Sequence, residues 1–137
     1  MIIFWQLSQI LLYLGNMSKN LKIGRLGEGF AKEYYLKAGY QFVDQNWQKR
    51  CGEIDLICEK DQEIVFVEVK TRTTKAFGYG EESVTKSKKQ KISKTIDKFL
   101  LVNEKFKDYF PRFDILTIEI FGLVPKFIHF ENVGLHD

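Results

Sequence analysis

Three side chains have the types and spacing to do hydrolytic chemistry together: Asp55, Glu68 and Lys70. They lie in two β-rich runs, Glu53 to Glu59 and Glu63 to Thr71, separated only by Lys60, Asp61 and Gln62. That is the pattern of a hairpin. With Asp61 and Gln62 as a two-residue turn, Lys60 faces Glu63, Cys58 faces Val65, Leu56 faces Val67 and Ile54 faces Val69, which makes one face wholly apolar. Side chains alternate along a strand, so the other face pairs Ile57 with Phe66, Asp55 with Glu68 and Glu53 with Lys70. A one-residue slip would mix the two faces, and the hydrophobic pattern therefore favours this register. The turn residues themselves are not of the favoured Asn-Gly type.

Two carboxylates opposed at about 5 Å repel and raise each other's proton affinity unless a cation lies between them. An all-oxygen site suits a hard divalent ion, and Mg2+ is commonly held by one or two carboxylates with water and phosphate completing its shell. Mn2+ would fit the same donors. Lys70, on the face of Glu68, is placed to help orient or deprotonate an attacking water and to stabilise charge on a transferring phosphoryl group. These are the parts of phosphodiester hydrolysis. An ordinary cross-strand charge network among Glu53, Asp55, Glu68 and Lys70 is the other reading of the same residues.

The elements that must position them follow the same logic. Leu26, Phe30 and Tyr34 recur at helical spacing with Gly27 and Ala31 beside them, which predicts a helix ending at Gly39. Tyr40 to Trp47 has strand character, and Lys49 to Gly52 reads as a turn before the hairpin. Further on, Ile92, Ile96, Phe99 and Leu100 form a helical stripe that Ser83 or Thr85 can cap. Arg112 to Phe121 and Lys126 to Phe130 read as two strands. Asp114 shares a face with Leu116, Ile118 and Ile120, so if buried it needs a partner such as Arg112 or a backbone donor. The expected fold is a single α/β domain of order α-β-β-β-α-β-β, a mixed central sheet flanked by helices.

The string Gly52-Glu53-Ile54-Asp55-Leu56-Ile57 followed by Phe66-Val67-Glu68-Val69-Lys70-Thr71-Arg72 resembles the hallmark of the YraN family, UPF0102. That family is assigned to the PD-(D/E)xK, or restriction-endonuclease-like, superfamily. The likeness extends to Gly24-Arg25-Leu26-Gly27-Glu28 with Ala31, to Gly39-Tyr40 and Asn46-Trp47, and to Arg112-Phe113-Asp114, covering roughly residues 24 to 120 in colinear order. The resemblance implies metal binding by Asp55 and Glu68 and activation of water by Lys70. It also implies a helix glutamate, here Glu28, completing the site. Glu53 is expected either at the site edge or paired with Lys70. Asp114 is read as structural despite its match. Cleavage of DNA follows as the leading expectation, with branched or otherwise structured DNA suggested by the superfamily's resolvase members. RNA and a homodimer stay open, and a noncatalytic nucleic-acid-binding protein of the same fold is the competing reading.

The distribution of basic residues supports a polyanionic partner more than the total does, since the net charge is only +3. Arg72 and Lys75, with Phe77 and Tyr79, follow the hairpin in a glycine-containing loop suited to phosphate contacts and stacking. Lys86, Lys88, Lys89 and Lys91 crowd the start of the second helix, where Asp97 is the sole acid between Ser83 and Lys98. Lys88 lies four residues before Ile92, on the inward stripe, and is expected closest to substrate. A basic helix start beside a carboxylate site suits a phosphate backbone that the carboxylates alone would repel.

Other features exclude other chemistries. With 137 residues the chain has room for one domain, and its 45% hydrophobic and 28% charged composition is that of a globular protein. Cys51 and Cys58 form no zinc spacing and read as free thiols of a reducing cytoplasm. His129 and His136 are expected to be solvated near the C-terminus. Residues 1–20 are read as an apolar extension and 21–137 as the domain. The extension lacks the basic start and cleavage site of a secretory signal and is too interrupted to span a bilayer, so no membrane partner is expected. Its Ile3, Leu7, Ile10, Leu11 and Leu14 share a helical stripe, and Met17 offers an alternative start that would make residues 1–16 dispensable.

Overall fold

The computed structural model describes residues 18–73 and 84–136. Helix α1 spans Lys19–Lys37, beginning within the segment read as extension, because Ser18 accepts a hydrogen bond from the Leu21 N–H at 3.3 Å and caps it. Gly39, at φ +93°, turns the chain out of the helix. Three antiparallel strands follow: β1 (Gln41–Lys49), β2 (Gly52–Lys60) and β3 (Glu63–Arg72). Helix α2 (Lys86–Val102), capped by Thr85, and a short 3₁₀ turn (Glu104–Phe106) lead to β4 (Phe110–Glu119), and β5 (Lys126–Phe130) returns beside it. The five strands form one sheet in chain order. Only β3 and β4 run parallel, as the α2 crossover between them requires. This is the predicted α-β-β-β-α-β-β arrangement.

Each helix covers one face of the sheet. Ala31 and Tyr35 of α1 pack on Leu56, Cys58, Val65, Val67, Leu116 and Ile118. Ile92, Ile96 and Phe99 of α2 pack on Ile54, Ile57, Ile64, Phe66, Phe113 and Ile115. Covered on both sides, β3 buries Ile64, Val65, Phe66 and Val67 completely, which is why its sequence is apolar without alternation. The buried line of α1 is Gly27, Ala31 and Tyr35. The Leu26, Phe30 and Tyr34 stripe lies beside it and is half-buried. Small residues on the buried line bring helix and sheet into close approach: a Cβ on Gly27 would stand 1.9 Å from Thr71 Oγ1.

The hairpin turn forms as expected, with Asp61 and Gln62 both at positive φ (+52° and +61°), as a two-residue type I′ connection demands. The paired register runs Lys60↔Glu63, Cys58↔Val65, Ile57↔Phe66 and Leu56↔Val67. There the prediction fails in an informative way. The ladder stops at Leu56 and Val67, so Asp55 and Glu68 are not a regular cross-strand pair. Ile54 does not stay on the face of Leu56 but packs with Ile57 and Phe66 under α2. The neighbouring strand shows why: β1 shifts register between Phe42 and Asp44, and Asn46, near the level of Asp55, sits at φ +51°. A left-handed residue inside a strand interrupts the pleat and re-aims the side chains beside it.

His129 departs from expectation as well. Its ring contacts the Tyr34 and Tyr35 hydroxyls, each at 3.1 Å, and Asp114 Oδ2 at 2.7 Å. Asp114, fully buried, also accepts from Arg112, Tyr35 and the Asn132 N–H. Arg112 reaches Glu63, Glu131 and the Tyr40 hydroxyl. This network ties α1, β3, β4 and the C-terminal segment together, and it assigns Asp114 the structural role read from sequence. His136 is exposed.

A candidate metal and phosphodiester site at the strand split

Where β2 and β3 part, the backbone N–H of Val69 donates to Asp55 Oδ2 at 2.8 Å. A side chain thus satisfies a donor that the broken ladder would leave unpaired. Glu68 projects to the same place, with Lys70 Nζ 3.3 Å and Lys88 Nζ 2.7 Å from its Oε1. Two residues of β3, one of β2 and one of α2 therefore converge. The inward position of Lys88 matches its placement on the Ile92 stripe, and Thr85 holds that end of the helix by accepting from the Lys88 N–H at 3.2 Å. Glycine at position 52 lets α2 come down on the strands, since a Cβ there would stand 2.7 Å from Thr95 Oγ1.

Two clefts meet at the carboxylates. One, of about 460 Å³, lies on the α1 side and includes Glu28, Asp55, Glu68, Lys70 and Thr71 in its walls. The other, of about 210 Å³, lies on the α2 side and includes Glu53, Asp55, Glu68, Lys88 and Lys91. Glu28 thus borders the site, but its Oε2 is engaged by Arg25 at 3.1 Å and Asn46 at 3.2 Å. Glu53 accepts from Gln48 at 3.2 Å and lines the α2-side cleft without joining the Lys70 pair. Of the other basic residues singled out, Lys86 is exposed while Lys89 and Arg72 are half-buried. Lys75 lies outside the described residues, as do Phe77 and Tyr79.

The electrostatics follow from burial of like charges. Desolvation first, then Glu68, pushes the Asp55 carboxyl far above its usual range, against the hydrogen bond from Val69; Glu28 and Glu53 add to the rise. Lys70 is lowered, by burial and then by Lys88 beside it, although Glu68 favours its charge. Burial also works against the Lys88 charge, but its hydrogen bond to Glu68 prevails and its affinity for the proton is raised. Two carboxyl groups in one half-buried site, Asp55 raised by its neighbour, offer oxygen donors that could hold a hard divalent ion. Among the described residues no three acidic, histidine or cysteine side chains are grouped to hold one.

Sequence reasoning missed Asn46 as a supporting residue, although an asparagine inside an otherwise β-prone run is a signal of irregular backbone. In the structure its amide holds Glu28 while its backbone marks the strand irregularity.

Residues 27–118 match the family described as "Uncharacterised protein family UPF0102". A UPF0102 protein of Caldanaerobacter subterraneus subsp. tengcongensis is 45% identical over 96 residues, covering 70% of this chain and 78% of the relative. One from Alkaliphilus oremlandii is 40% identical over 114 residues, covering 82% and 97%, and one from Vibrio parahaemolyticus is 40% identical over 109 residues, covering 80% and 89%. Most of the domain, with Asp55, Glu68, Lys70 and Lys88 inside the matched span, is shared with these relatives, and the chain belongs to UPF0102, the YraN family.

Proposed function

We propose that this protein is a metal-dependent nuclease of the restriction-endonuclease-like kind that hydrolyses phosphodiester bonds in DNA, with branched or otherwise structured DNA the form to test first. The observation that carries the reading is the convergence of Asp55 and Glu68 where β2 and β3 part, with Lys70 3.3 Å from Glu68. Asp55 and Glu68 would hold Mg2+ or Mn2+, and such an ion supplies Lewis-acid polarisation of a phosphoryl oxygen and a more acidic water at neutral pH. Lys70, whose ammonium lies 3.3 Å from Glu68, can orient the attacking water and stabilise the negative charge that develops on the phosphoryl group. The Val69 N–H fixes the Asp55 carboxylate, so one metal donor is aimed before substrate arrives. Lys88 and Lys91 line the α2-side cleft and give a phosphate backbone a cationic wall.

One observation favours a noncatalytic nucleic-acid-binding protein instead: Glu28 is tied to Arg25 and Asn46 rather than turned to the two carboxylates. A single experiment separates the readings. Wild type, Asp55→Asn and Lys70→Met are incubated with labelled linear duplex, single-stranded and four-way branched DNA, and with RNA, in Mg2+, Mn2+ or EDTA. The expected result is metal-dependent cleavage by wild type and a loss on the order of a hundredfold or more in each variant. Absence of cleavage by wild type in every metal and substrate, with DNA binding retained, would establish the binding protein.

A further inference from the structure

Glu68 Oε1 carries two ammonium groups, and they are not equivalent. Lys70 rises from β3 itself, two residues away, and its side chain is 20% exposed. Lys88 reaches in from α2, binds more closely at 2.7 Å, and has a side chain 39% exposed beside the 210 Å³ cleft. Both lysines border a cleft, Lys70 the 460 Å³ one and Lys88 the 210 Å³ one, but Lys88 is the closer to Oε1, the more exposed, and comes from a separate element of the fold. An ammonium 2.7 Å from a carboxylate oxygen occupies a direction from which a small cation would otherwise approach that oxygen.

We propose that Lys88 is a built-in stand-in cation: it neutralises Glu68 while no divalent ion is present and must give up that oxygen when one binds. The inference rests on the metal-site reading above and deepens it by assigning the site its own competitor. Its physical basis is that the Glu68 carboxylate, only 11% exposed, needs positive partners, and beside Lys70 of its own strand the fold supplies a second, removable one from a separate element. Displacement then turns the Lys88 ammonium into the α2-side cleft, where Lys91 already stands and where it is available to a phosphate. Ion binding and the cationic wall for DNA are thereby made to depend on each other.

The test is calorimetric titration of Mn2+ into wild type, Lys88→Met, Lys88→Arg and Lys89→Met at low ionic strength, with a thermal melt of each to establish folding. Lys88→Met is expected to bind Mn2+ about fivefold more tightly than wild type, the scale of a partly exposed ion pair. Lys88→Arg keeps the competing charge and should stay within about twofold of wild type, as should Lys89→Met, which removes an equal charge from the next residue. Equal or weaker Mn2+ binding by folded Lys88→Met overturns the stand-in role. If wild type binds Mn2+ and Asp55→Asn abolishes that binding, the metal site itself survives such a result. No Mn2+ binding by either wild type or Lys88→Met overturns both.

Discussion

The backbone N–H of Val69 and the carboxylate of Asp55 lie 2.8 Å apart across two strands that have ceased to pair. Asp55 replaces a backbone acceptor and so becomes part of the sheet's own hydrogen bonding. Its second oxygen is left for other partners. The carboxylate is fixed by main chain on one side and crowded by Glu68 on the other.

Asp55 should therefore make stability fall as pH rises. Its folded-state affinity for the proton is raised, to about 8, above that of the unfolded chain. Its stabilising contribution is complete below the unfolded-state carboxylate pKa and is lost as pH climbs toward the folded value. Between pH 5 and 8 in EDTA, wild type should lose on the order of 2 kcal/mol more than Asp55→Asn, after allowance for sharing with Glu68 and solvent. Urea denaturation at intervals of pH measures this. Mn2+ should restore the lost stability to wild type but not to the variant, and parallel pH curves for the two proteins would refute the assignment.

Gly27→Ala should damage the site from a distance. The added Cβ would meet Thr71 Oγ1 at 1.9 Å, so α1 must lift off β3 beside Lys70. A cost of about 1–3 kcal/mol is expected for such overpacking, measured by denaturant unfolding. Thr71→Ala should recover part of it in the double variant, since the hydroxyl is the nearest obstacle. Additive losses in the double variant would show that the close approach is not the cause.

Asp114→Ala should be the most destabilising of these changes. It leaves the Arg112 guanidinium, 7% exposed, with Glu63 and Glu131 but without the fully buried carboxylate at 2.9 Å, and takes the shared acceptor from Tyr35 and His129 as well; loss of such a buried ionic network from one side costs about 3 kcal/mol. Tyr35→Phe, which removes only the hydroxyl donor to Asp114, should cost about 1–2 kcal/mol. Equilibrium unfolding ranks the two variants. In Tyr35→Phe, Mn2+ affinity should match wild type, because the network occupies the α1-covered face and donates no atom to Asp55 or Glu68; a weakened metal site would contradict that separation.

The hairpin was readable from sequence because its information is local. Alternation across Leu56, Ile57 and Cys58 against Val65, Phe66 and Val67 places each side chain on its observed face. The same rule overreached at Ile54 and Asp55, where β1, with its positive-φ Asn46, and α2, with its docking surface, override the alternation. Lys88 was readable because helical spacing tied it to the inward Ile92. Tyr35 and His129 were not: their polar atoms are satisfied by Asp114, 79 and 15 residues away, and no local pattern marks a partner at that distance. Glu28 was reached only through resemblance. Its position beside the site depends on how closely Gly27 lets α1 approach Thr71.

The parallel pairing of β3 with β4 also orders the site in time. Asp55 and Glu68 belong to a hairpin, an element that closes within microseconds, whereas a parallel partner must wait for the whole crossover to be traversed and its loop entropy overcome. Lys88 travels on that crossover. In the finished fold the acids are held by the hairpin, whereas the lysine is held against them only through α2 and the β3–β4 pairing that lie further along the chain. A chain truncated before β4 would keep Lys70 beside Glu68 but lack the pairing that closes the crossover carrying Lys88, so the complete centre depends on closure of the fold and not on the hairpin alone.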